Sequence, residues 1–126
     1  MFDSKNIEGI EILIRNLPEE LQFWHKFGNI VELNLKNIFD EKNGDYNSCI
    51  FMTLTNITTT HAIKLFFYNV NGKINFDVKN GFFSGFTIDD CSGWGYERDC
   101  KFRISSLEQD IEFAFYCEKI KVEFIC

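Results

Sequence analysis

The sequence predicts an all-β fold: an antiparallel meander of eight or nine short strands, forming a sandwich or partly closed barrel, with one short N-terminal helix. Three observations point there. From Ala62 to Val70 successive side chains alternate between two faces, the two-residue period of a strand. Strand-like runs recur at close spacing along the chain, with Asn-Gly and other turn residues between them. The composition has 15 Phe against a single Pro in 126 residues, and Phe both favours strands and fills the space between packed sheets.

The elements follow in order. Ile7, Ile10, Leu13, Ile14 and Leu17 fit helical spacing, whereas Ile10, Ile12 and Ile14 fit a strand; Gly9 and the β-branched content favour a strand from Ile10 to Arg15. Pro18, Glu19 and Glu20 make a helix start, since Pro suits the first position and acids suit the dipole there. Leu21, Trp24 and Phe27 give that helix an apolar stripe and Gly28 ends it, so it is expected to plug one end or edge of the sheets. A strand from Ile30 to Lys36 has Val31, Leu33 and Leu35 inward. The turn at Asn43-Gly44 returns the chain into Ser48 to Asn56. Next comes Ala62 to Val70, apolar on both faces and so expected mid-sheet and covered on both sides. Asn71-Gly72 offers the positive φ of a tight primed turn, predicting a hairpin with the strand through Ile74, Phe76 and Val78. Strands at Phe82 to Asp89, Lys101 to Ser105, Ile111 to Cys117 and Lys119 to Ile125 complete a single domain spanning residues 1–126.

Charge and cysteine usage bound the function. The net charge of −6 argues against a nucleic-acid backbone or an anionic membrane as partner. No run reaches the ~18 apolar residues of a membrane helix. The acidic start MFDSKNIEGIEI does not resemble a signal peptide, so a cytoplasmic location is expected. Five Cys at irregular spacing (Cys49, Cys91, Cys100, Cys117, Cys126) do not describe a disulfide framework. Those in strands are expected to pack as small hydrophobes.

Catalytic signals are sparse. His25 and His61 are far apart and no Cys pair has zinc spacing, so neither a metal nor another cofactor is expected. Cys91 stands beside Asp90, a like charge that opposes the thiolate a nucleophile needs. No catalytic residue is assigned. The segment from Asp89 to Asp99 differs: Asp89, Asp90, Trp94, Tyr96, Glu97 and Asp99 gather between two strands. Loops on a rigid sheet are usual recognition sites, and Trp and Tyr are usual interface anchors. Acids there would suit a basic partner and speed its approach. The competing structural role is for Trp94 to fold back and cap the open end of the barrel.

Trp24-His25 shortly before VELNL, then AIKLFFYNV, SGFTIDD and the closing FAFYCEKIKVEF form an order of features that resembles small all-β immunity proteins of bacterial polymorphic toxin systems. The resemblance spans most of the chain from Leu21 onward. Lys26 and Phe27 stand where that family carries acids after the histidine, so no role passes to His25. The resemblance implies a cytosolic, non-enzymatic neutraliser that occludes a cognate toxin domain, and that partner is expected to be basic. A monomer or weak dimer is expected, the final strand being the candidate for edge pairing, discouraged by Lys119 and Lys121. The alternative is a barrel binding a small apolar ligand in an interior lined by Phe66, Phe76, Phe86, Phe113 and Phe115. An apolar pocket of roughly 300 Å³ or more would favour it.

Overall fold

The computed structural model describes residues 2, 6–42, 44–76, 86–91, 101–106 and 113–126. Two four-stranded antiparallel sheets form the body, as the alternation predicts. Sheet A has the order β1-β2-β3-β8, from Asn29–Asp40, Asp45–Thr55, Ala62–Tyr68 and Lys119–Phe124. Sheet B has the order β4-β7-β6-β5, from Asn71–Phe76, Phe113–Cys117, Phe102–Ser106 and Phe86–Asp90. The sheets do not close into a barrel. Gly44, at φ 67, makes the predicted turn between β1 and β2.

The central hairpin is a correction. β3 and β4 do not pair; they belong to different sheets, β3 lying between β2 and β8, and β4 beside β7. Asn69, at φ 53, turns the backbone ahead of Asn71-Gly72, and Asn71 already pairs with Tyr116. Asn visits the left-handed region at little cost. On the partner strand Glu118 alone separates β7 from β8, and its N–H donates to Tyr68 O at 3.1 Å. The register runs on through this corner, with Tyr68 opposite Lys119 and Asn71 opposite Tyr116. One long ribbon, β3–β4 against β8–β7, is therefore bent across both sheets, the kind of corner by which strands switch sheets in crossed packings.

The core lies between the sheets. Ile50, Met52 and Leu54 of β2, Ile63, Leu65 and Phe67 of β3, and Ile120 and Val122 of β8 meet Phe86, Ile104, Phe115 and Cys117 from sheet B. Phe67 and Phe115 touch edge to face across the two layers, 5.1 Å between centroids, a geometry aromatic rings prefer. Phe66 differs from the expectation for an apolar interior. It sits on the outer face of sheet A beside Phe51 and Tyr68, with Lys64 and Lys121 over its ring.

The N-terminal region also differs from its prediction. Helical spacing prevails over β-propensity: Ile10–Asn16 is an α-helix, α1, burying Ile10 and Leu13 while Ile12 and Ile14 face out. Packing of the 3.6-period face overrides the weak propensity of Ile. The helix expected after Pro18 is instead two 3₁₀ turns, Glu19–Leu21 and Trp24–Lys26. Gln22 breaks it, because its buried amide donates to Ile14 O and Leu17 O, both at 3.0 Å, and so satisfies the end of α1. As expected, the segment after Pro18 sits at an edge, Trp24 meeting Phe86 of the edge strand β5 at 6.3 Å. Separately, ahead of α1, Glu8 N donates to Ile120 O and Glu8 O accepts from Val122 N on β8.

β1 corrects a further expectation. Val31, Leu33 and Leu35 are 61%, 37% and 56% exposed, not inward. Val31 lies at a bulge between Ile30 and Glu32. Leu33 and Leu35 do share the core-side face, opposite Met52 and Ile50, but β1 packs chiefly on β2 and overhangs the core.

Candidate functional site

Asp89 and Asp90 are consecutive on β5, so the pleat sends them to opposite faces. Asp89 is on the face shared with Arg103, its cross-strand neighbour, and Asp90 on the face shared with Phe102. Both carboxylates are half-buried. Asp90 Oδ2 accepts from Asn6 Nδ2 at 2.6 Å, which ties the N-terminal segment to the end of sheet B. The acids close in sequence are thus separated in space. Trp94, Tyr96, Glu97 and Asp99 lie outside the described residues.

The root of their loop is well defined. Cys91 N donates to Lys101 O at 2.7 Å, and Lys101 N donates to Cys117 O at 3.2 Å. Cys91 and Lys101, which flank residues 92–100 in sequence, are therefore held together at the rim of sheet B. Beside that root is a cleft of about 450 Å³ lined by Asn6, Asp90, Lys101, Phe102, Glu118 and Lys119. Its walls come from the N-terminal segment, the β5–β6 end and the corner of the bent ribbon. Phe102 is buried while Lys101 and Lys119 are exposed. Among the described residues the cleft thus presents two carboxylates and two ammonium groups beside the buried Phe102, groups that can pair with charged side chains of a partner.

No family model matches the sequence, and no match is found among curated proteins or solved structures.

The remaining chemistry-bearing residues have structural surroundings. His61 N donates to Asn56 Oδ1 at 2.9 Å, and its Nδ1 lies 2.9 Å from Thr60 Oγ1. Buried Asn56 in turn donates to Thr58 and Thr60 hydroxyls, so this polar turn staples β2 to β3. His25 is exposed, its ring 5.4 Å from that of Phe23. Burial pushes the Cys91 thiol above its ordinary value, and the Asp89 carboxylate pushes it further; Asp90, the neighbour singled out from sequence, contributes least among those causes. Burial likewise raises the Cys117 thiol. Both settings oppose the thiolate. Cys49, Cys91, Cys117 and Cys126 are free thiols.

Sequence reading found Asp90 but not Asn6, Lys101, Phe102, Glu118 or Lys119, which share its cleft. One signal existed. The closing run FAFYCEKIKVEF keeps Phe115 and Cys117 inward, then Ile120 and Val122, so the alternation slips by one at Glu118 and marks the corner.

Proposed function

We propose that this chain is a non-enzymatic protein-binding domain of the immunity-protein kind, which holds a toxin domain at the rim where Cys91 and Lys101 border the cleft. The observation that carries this reading is the convergence of the Cys91–Lys101 pairing with a charged recess of about 450 Å³. A partner cation entering the recess faces Asp90 and Glu118, while an acid beside it faces Lys101 or Lys119. Charges so arranged select a partner and speed its arrival more than they add raw affinity. Trp94 and Tyr96 supply the apolar anchors, the residue types that dominate binding energy in interfaces. Inhibition is by occlusion, with no bond made or broken. The buried interior supports this over an apolar-ligand barrel, since Phe67, Phe86 and Phe115 are fully buried and the recess lies outside the core, bordered by charged side chains.

The test is titration calorimetry, with stopped-flow mixing for the rates, against any toxin-like domain that the genes next to this one prove to encode. Trp94→Ala should weaken binding by about 2 kcal/mol or more. The double variant Asp90→Asn with Glu118→Gln should slow association and flatten its salt dependence. Wild-type binding that neither change disturbs, with only thermal stability lost in Trp94→Ala, would make the loop a cap and remove the proposal.

A further inference from the structure

Among the described residues, the unpaired edge of sheet A is not the final strand. Glu8 takes up that side of β8 by bonding to Ile120 and Val122, which leaves β1 at the other end of the order β1-β2-β3-β8. Edge strands are normally guarded by short length, charge or proline. β1 is twelve residues long and exposes Val31, Leu33, Leu35, Ile38 and Phe39. Its exposed charges near the middle are Glu32 and Lys36, of opposite sign.

Those charges are placed symmetrically. Reading outward from Asn34, the chain meets Leu33 and Leu35, then Glu32 and Lys36. An antiparallel copy centred on Asn34 sets Leu33 opposite Leu35 of its twin, and Glu32 opposite the twin's Lys36, twice over by symmetry. Residues directly opposite in an antiparallel pair share a face. The four leucines then fall on the core-side face, where Leu33 and Leu35 of each copy overhang the core. Both ion pairs fall on the outer face, where Asn34 Nδ2 already donates to Glu32 Oε1 at 3.0 Å and Lys36 sits over the Phe51 ring at 5.5 Å. A lone charge on an edge repels a second strand; this pair matches one.

We infer that two copies of this chain join through β1, antiparallel and centred on Asn34, so that two A sheets become one continuous sheet. The contact is isologous, as a two-fold dimer requires. It is independent of the binding proposal above, because β8 and the cleft lie three strand spacings away, about 14 Å, and stay open in the dimer.

Sedimentation velocity on the full chain over a concentration series tests it through charge exchange. The wild type should show a reversible monomer–dimer equilibrium. Glu32→Lys and Lys36→Glu should each weaken the dimer by roughly 30-fold or more, since each sets like charges opposite twice. Mixing the two variants in equal amounts should restore a heterodimer. The lysine introduced in one copy then meets the glutamate introduced in the other, while the unaltered Lys36 of the first meets the unaltered Glu32 of the second. Both positions are exposed, and unchanged circular dichroism confirms that the variants fold. A wild type that stays monomeric up to about 1 mM, a dimer indifferent to both reversals, or a mixture that stays monomeric would each overturn the inference.

Discussion

Phe67→Ala should lower the unfolding free energy by about 3–5 kcal/mol, the usual cost of truncating a fully buried Phe. Phe67 has no exposed surface and is the β3 side chain that meets Phe115 of sheet B edge to face at 5.1 Å. Its ring also stands in the row formed by Ile50 and Ile120, its cross-strand neighbours in sheet A. Truncation therefore opens a void where the two layers meet, and the sheets cannot collapse into it without moving the bent ribbon. For a domain whose total stability is about 5–15 kcal/mol, the melting temperature should fall by roughly 10–20 °C. The neighbouring Phe66→Ala is the control. Phe66 lies on the outer face among Phe51, Tyr68 and Lys64, and its loss should cost about 1 kcal/mol. Denaturant titration of both variants compares the two faces of one strand directly; equal losses would mean the faces are wrongly assigned.

Gly9→Ala should cost about 2–4 kcal/mol, the sum of a backbone strain and weakened hydrogen bonds. Gly9 holds φ 87 at the start of α1, and a Cβ there would stand 2.5 Å from the Val122 carbonyl oxygen. The left-handed conformation alone costs an alanine about 1–2 kcal/mol. Relieving the clash must also loosen Glu8 from β8, where its bonds to Ile120 and Val122 measure 3.0 and 2.9 Å, each bond contributing about 1 kcal/mol. Because α1 follows directly, amide exchange should rise at Glu8, Ile120 and Val122 before the rest of sheet A. A variant as stable as the wild type would mean the N-terminal segment does not close the β8 edge.

The parts of the fold legible in sequence were those where alternation meets a two-layer core. β2 and β8 read correctly because each buries one face under sheet B, as Ile50 and Val122 show; β3 is mid-sheet as expected, but only its Leu65 face is covered, the Phe66 face being half-buried under lysine side chains. β1 misled because its Leu33 and Leu35 have inward phase yet remain partly exposed; a period reports which face a residue is on, not whether another layer covers it. The hairpin at Asn71-Gly72 failed for a related reason. Turn propensity is local, whereas the corner at Asn69 answers to a ribbon whose partner bends at Glu118. At such a corner both strands must keep the core on their inner side, so the inward phase slips by one. That slip is visible between Phe67 and Val70 and again between Cys117 and Ile120. It was the better guide. α1 was decided by the core taking Leu13 and Ile10, and Gln22, which ends the helical run, carried no signal of its bonds to Ile14 and Leu17.

The candidate site was legible only as a loop. Asp90 belongs to it through the cleft, but the pleat turns Asp89 toward Arg103, which consecutive numbering conceals. The other walls come from residues 84 positions away, as in the Asn6–Asp90 bond, and from the ribbon corner. Such a site exists only after the sheets pack.

If a neighbouring gene encodes a toxin domain, growth of cells that express it, with and without this chain, tests the proposed binding account most directly. Co-expression of the wild type should restore growth, and Trp94→Ala joined with the Asp90→Asn and Glu118→Gln changes should fail to do so while remaining folded and abundant. Arrest that persists with the wild-type chain soluble and in excess would contradict the account.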